Sequence, residues 1–177
     1  MKGRISVEYA LYSKAVVFAF ERHRGQKRNE PGGEVDYIVH PLRVAEHLRR
    51  LVGCEDVEIL CAAVLHDTIE DSGARYDELA EAFGERVARI VAELTNDSRL
   101  PKPERHEDMI RRLATCSFEA KLIKLADRYD NLRSGSGADP AKLSRLFAET
   151  PRLLASLGDT CPVLEAAIEK LLGRSSV

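Results

Sequence analysis

The chain has 177 residues and a net charge of −2, with 44% hydrophobic, 32% charged and only 6% aromatic residues. That length suits one domain over residues 1–177 with a substantial core, and the interspersed, nearly balanced charge argues against a nucleic-acid or lipid surface. With no secretory signal and no apolar run long enough to span a membrane, a soluble, cytoplasmic protein is expected.

Abundant Ala, Leu, Glu and Arg, with few β-branched runs, predict an all-α protein, a compact bundle of several helices. Residues 6–23 form the first amphipathic helix, with Val7, Ala10, Leu11, Ala15, Phe18 and Ala19 on its apolar stripe. Gly25 stops it, and a loop with turn chemistry follows over residues 29–34. Pro41 opens a second helix that runs to about Val52 and buries Leu42, Val44, Ala45, Leu48 and Leu51. Asp56 caps a third, and its apolar run Ile59-Leu60-Cys61-Ala62-Ala63-Val64 reads as buried. The run leads into Leu65-His66-Asp67-Thr68-Ile69-Glu70-Asp71 at the end of that helix. Helices over 77–83 and 85–94 meet at Gly84, a polar loop spans 96–103, and a charged helix occupies 104–115. Lys102, Pro103, Glu104 and Arg105 border that loop and read as solvated, with cover over a substrate as the alternative. Ser117 starts a long helix to Leu132. Ser134-Gly135-Ser136-Gly137 is a flexible connection, and two or three more helices reach about Leu172. Cys54, Cys61, Cys116 and Cys161 form no CxxC pair, which fits a reducing compartment, and Cys61 reads as a core residue.

One heptapeptide does not fit a purely structural reading. A His-Asp pair followed one turn later by Glu70 and Asp71, at the end of a buried helix, gathers charge where desolvation is costly. His40 precedes the second helix, and Asp127 interrupts an apolar face formed by Leu122, Ile123 and Ala126. Taken singly, each has an ordinary explanation: a His before Pro starts helices, and an Asp in a helix pairs with an Arg such as Arg128. Taken together, two imidazoles and two carboxylates suit a divalent ion such as Mn²⁺, Fe²⁺ or Zn²⁺. His23, His47 and His106 lack partners at metal spacing and read as structural or surface residues.

The order H…HD…D resembles the HD superfamily of metal-dependent phosphohydrolases, and within it the hydrolase branch of RelA/SpoT-type alarmone enzymes. The resemblance rests on Tyr37-Ile38-Val39-His40-Pro41, the heptapeptide, Phe83-Gly84 with Val87, Leu94-Thr95, and Lys124-Leu125-Ala126-Asp127-Arg128 with Asn131-Leu132-Arg133. It covers roughly residues 10–135 and implies a compact HD-domain bundle in a stand-alone small hydrolase. It implies His40, His66, Asp67 and Asp127 as ligands of one divalent ion, Mn²⁺ first. Glu70 and Asp71 match the acids that orient and deprotonate the attacking water. Asn131 matches a substrate-contacting Asn, with Arg133 and Ser134 near the ribose or phosphates. Arg28 matches an Arg that stacks on the base, and Lys27 and Arg24 add charge for the phosphates. Asn29 replaces a frequent Lys, and residues 33–36 depart from the usual loop, so base identity is open.

The implied activity is hydrolysis of the 3′-pyrophosphate of (p)ppGpp to GDP or GTP and pyrophosphate. The implied partner is this small nucleotide, with neither nucleic acid nor membrane. The alternatives are an HD phosphohydrolase acting on (p)ppApp or NADPH, and a non-catalytic nucleotide sensor.

Overall fold

The computed structural model describes residues 2–135 and 139–173. The side chains of Val7, Lys102, Pro103 and His106, and residues Ser136 and Gly137 of the expected connection, fall outside what is described. The helices are α1 (Lys2–Arg22), α2 (Val39–His47), α3 (Val57–Leu65), α4 (Thr68–Ser72), α5 (Tyr76–Phe83), α6 (Glu85–Leu94), α7 (Lys102–Leu113), α8 (Phe118–Arg133), α9 (Pro140–Leu157) and α10 (Pro162–Gly173). The all-α expectation holds, with one addition: β1 (Lys27–Glu30) and β2 (Gly33–Asp36) form an antiparallel hairpin.

Helix α3 is the centre because it is apolar on every side. All residues from Ile59 to Leu65 are buried, Cys61 among them, as a helix with no polar face must be. It packs on α1, α2 and α6. Helix α8 is the second central element, against α2, α6 and α10, and buries Leu122, Ile123, Leu125 and Ala126. The expected caps form. Asp56 accepts from the backbone N–H groups of Glu58 and Ile59 at 2.9 and 3.3 Å, and Ser117 accepts from that of Ala120 at 3.2 Å. Arg86 of α6 then bonds Asp56, Glu58 and Glu119 at 2.8, 2.7 and 3.0 Å, joining the first turns of α3 and α8.

Several expectations need correction. The second helix is α only to His47, and residues Leu48–Val52 form a π-helical turn. This wider turn rotates Leu51 off the apolar face, so it is 36% exposed rather than buried, and Leu42 is only half-buried. The third helix ends at Leu65, with His66 and Asp67 in a turn before α4. A smaller departure is that α7 begins at Lys102, inside the expected loop.

The hairpin occupies the segment read as a loop. Arg28 pairs with Val35 and Glu30 with Gly33, so Pro31 and Gly32 make the turn. A two-stranded ribbon is marginal alone, and alternation over four residues is too short to show in a sequence pattern. This one is anchored by its side chains: Arg28 reaches α8 and Glu30 reaches α2.

Because Asp56 is both an N-cap and an Arg86 partner, Asp56→Ala should lower unfolding stability by about 1 kcal/mol or somewhat more. Urea denaturation tests this, and a midpoint equal to wild type would show that the cap is dispensable.

Candidate active site

Each candidate side chain is placed by a local backbone event. His40 sits in the first turn of α2, where its N–H donates to Tyr37 O at 3.0 Å. His66 and Asp67 occupy the break between α3 and α4, which Thr68 closes by donating its hydroxyl to Leu65 O at 2.7 Å. Asp127 comes from the middle of α8 and is 6% exposed. These three elements meet: the ligand atoms of His40, His66 and Asp67 lie within 4.8 Å of one another. Asp127 Oδ1 is 3.2 Å from His40 Nε2 and 3.9 Å from His66 Nε2. The two rings stand edge to face at 5.3 Å.

The donor set fits a metal ion. His66 donates Nδ1–H to Ala63 O at 2.8 Å. A carbonyl only accepts, so the neutral ring has its lone pair on Nε2. That Nε2 is buried and lacks a hydrogen-bond partner. It lies 3.0 Å from Asp67 Oδ2. In the neutral ring that lone pair faces two carboxylates, which is costly unless a cation binds there, and imidazole with carboxylate is a divalent-metal donor set.

The charges are balanced by neighbours. Tyr37 donates its hydroxyl to Asp67 Oδ2 at 2.6 Å, and burial followed by the Asp67 charge pushes the phenol pKa far up, so it stays a donor. Lys124 Nζ lies 2.8 Å from Asp127 Oδ2. Burial opposes the ammonium of Lys124, but Asp127 outweighs it and raises its pKa. Burial likewise opposes ionisation of Asp67 and Asp127, yet His66 holds the first below the carboxylate range and Lys124 the second. For His66, burial lowers the pKa, but the charges of Asp67 and Asp127 raise it to about 9.

The acid pair is on α4. Glu70 accepts from the side-chain amide of Asn96 at 2.9 and 3.0 Å and from its backbone N–H at 3.1 Å. Asp71 is different: burial, then the charges of Asp67 and Glu70, raise its pKa, against the opposing pull of Tyr37 and His23. A carboxylate with a raised pKa is the better proton acceptor.

Beside this cluster opens a cleft of about 540 Å³. Glu70, Asp127 and Asn131 are on its wall, together with Arg105, Lys124, Arg128, Lys142 and Arg145. Basic groups outnumber the acids there, which suits an anionic ligand.

The HD-domain family profile matches residues 15–163 of the chain. The chain belongs to the HD domain family. Similar to it at 37% identity is the guanosine-3′,5′-bis(diphosphate) 3′-pyrophosphohydrolase of Danio rerio, with 92% of each chain covered. The human (Homo sapiens) protein of that name is 37% identical, covering 93% of this chain and 94% of its own. A solved structure described as a metazoan ortholog of SpoT that hydrolyses ppGpp superposes with a TM-score of 0.88 at 31% identity, covering 94% of this chain and 96% of that one.

Against this HD-domain frame, the substrate-side expectations divide. Asn131 donates its amide to Asp127 Oδ1 and accepts from Arg28 Nη2 at 2.8 Å, and Arg28 also reaches Ser134 Oγ at 3.0 Å. Arg28, Asn131 and Ser134 therefore stand together, although Arg28 is only 9% exposed. Lys27 points to the hairpin's outer side, with Nζ 2.6 Å from Asp36 Oδ1. Arg24 pairs with Glu21, and Arg133 is exposed at the end of α8. Arg128 turns away from Asp127, donating to Leu146 O and Thr150 Oγ1, both at 3.3 Å. Sequence reasoning assigned no part to Lys124, Lys142 or Arg145. Lys124 stands three residues before Asp127 and was open to a helix-spacing argument. Lys142 and Arg145 come from α9, and no local pattern ties them to the HD-domain motif.

A metal takes neutral imidazole, and His66 is protonated below about pH 9 in the metal-free protein. Metal binding at pH 7 should thus release roughly one proton from His66, and the apparent affinity should rise with pH until it levels above that pKa. Calorimetry in buffers of different ionisation enthalpy measures this. Binding at pH 7 without proton release would contradict the charge arrangement.

Proposed function

We propose that the chain removes the 3′-pyrophosphate of ppGpp or pppGpp, giving GDP or GTP and pyrophosphate. The observation that carries this reading is the convergence of His40, His66, Asp67 and Asp127 beside a basic cleft whose wall Asp127 shares, in a chain similar over nearly its whole length to 3′-pyrophosphohydrolases. In the reaction a water oxygen joins the phosphorus next to the ribose 3′ oxygen, the bond between them breaks, and the 3′ oxygen takes up a proton.

His40, His66, Asp67 and Asp127 would hold one divalent ion, Mn²⁺ in this proposal, which would supply Lewis acidity at the phosphate and to the attacking water. Asp71, with its raised pKa, takes the proton of the attacking water, and Glu70, held by Asn96, orients it. Asn131, one helical turn after Asp127, holds the ribose side of the scissile bond, with Ser134 and Arg133 beside it. Arg28, anchored through Asn131 and Ser134, meets the base in this proposal. The phosphates lie along Arg105, Lys142 and Arg145. Lys27 is paired with Asp36 on the hairpin's outer side and makes no phosphate contact in this reading.

Incubation with Mn²⁺ and ppGpp, followed by product analysis, tests the reading directly: GDP and pyrophosphate are expected, and a chelator should stop their formation. Replacing Glu70→Gln and Asp71→Asn together should lower kcat by about 10²-fold or more while leaving metal content near normal. Loss of metal in parallel with rate would make the pair ligands instead. Arg145→Ala removes one charge-assisted phosphate contact, worth about 1.5–3 kcal/mol, so KM should rise about tenfold or more with a smaller change in kcat. An unchanged KM would place the phosphates elsewhere.

A further inference from the structure

The ligand cluster accounts for one nitrogen of His40 and leaves the other facing away from it. On that far side stands Asp130, three residues after Asp127 on α8 and 1% exposed. Its Oδ2 lies 2.8 Å from His40 Nδ1. Its Oδ1 lies 3.0 Å from His47 Nε2 and accepts from Arg43 Nε at 2.9 Å, while Arg43 Nη2 reaches Oδ2 at 3.2 Å. We infer that Asp130 is a positioning residue of the metal centre: its carboxylate accepts the Nδ1–H of His40, fixes that tautomer and ring orientation, and turns Nε2 toward the ligand cluster.

The argument is one of donors and acceptors. An ionised carboxylate has no proton to give, so a hydrogen bond at Nδ1 requires the proton to be on the imidazole. The neutral ring then carries its lone pair on Nε2, the nitrogen 3.2 Å from Asp127 Oδ1. Ala63 O does the same for His66. The two histidines are therefore oriented by different acceptors, and a carboxylate makes the stronger, charge-assisted bond and raises ligand basicity more. Asp130 is itself held from both sides. His47 follows His40 by two helical turns on α2 and packs its ring edge to face on Tyr129 at 4.9 Å. Arg43 is balanced in turn by Glu30 of the hairpin. A carboxylate with its acceptor sites occupied in this way cannot rotate to release His40. No chemical step is assigned to Asp130, which acts through the ring it orients.

This inference rests on the reading of His40 as a metal ligand and not on the substrate. The test is calorimetric titration of metal-stripped wild type and Asp130→Asn with Mn²⁺, alongside their thermal unfolding. Mn²⁺ affinity should fall by roughly 10–100-fold in the variant while the metal-free protein still unfolds cooperatively. Affinity within about twofold of wild type, by the same range, would overturn the inference. Should Asp130→Asn fail to fold, nitrogen spectra of Zn²⁺-loaded wild type decide the question. A slowly exchanging proton on His40 Nδ1 with Nε2 bound to the ion is expected, and coordination through Nδ1 would overturn the assignment. Both readouts are taken without substrate, so an inactive wild type that binds Mn²⁺ tightly would count against the proposed reaction and not against Asp130.

Discussion

The structure depends on bringing like charges together in a poorly hydrated place. Asp67, Asp127 and Asp130 all surround the His40 ring, at 3.8, 3.2 and 2.8 Å from its nitrogens. Unpaired, each buried charge would cost several kcal/mol. Each is met by a specific partner instead: Tyr37 for Asp67, Lys124 for Asp127, and Arg43 with His47 for Asp130. Those partners come from the segment before α2, from α2 itself and from α8. The burial of charge thus dictates how closely α8 must approach α2, and the apolar helix α3 supplies the surface on which both are packed.

The same constraint reaches the hairpin. From His40 the contacts pass through Asp130 to Arg43, from Arg43 to Glu30, from Glu30 to Arg28 at 3.4 Å, and from Arg28 to Asn131. Asn131 donates to Asp127 and so returns to the ligand cluster. Every link joins a donor to an acceptor or a cation to an anion. A ribbon too short to be stable alone is thereby fastened to the bundle at the edge of the site.

This arrangement also gives otherwise similar residues different surroundings. Glu70 and Asp71 are adjacent, yet Glu70 is tethered by Asn96 while Asp71 faces the negative charge of Asp67. Lys27 and Arg28 are adjacent as well, and strand alternation sends the first to solvent and the second inward. Among the described residues no helix is long and apolar enough to cross a membrane.

Much of the helical framework was legible locally. The cap at Asp56, the stop at Gly25, the apolar stretch of α3 and the interrupted face of α8 are short-range features, and the sequence by itself determined them; it also marked His40, His66, Asp67 and Asp127, which folding brings together. The order of those four is carried by motif spacing, which a linear reading preserves. What the tertiary structure alone decided has one physical cause: the partners are far apart in the chain. His47 showed no partner at metal spacing because Asp130 is on another helix, and Asp130 itself looked like any helical acid. The π-helical turn that exposes Leu51 left no mark on a pattern with helical period. The hairpin was hidden because its alternation is brief and its anchors lie on α2 and α8. The basic wall from α9 was invisible for the same reason, since Lys142 and Arg145 acquire their meaning only when folding sets them beside Asp127.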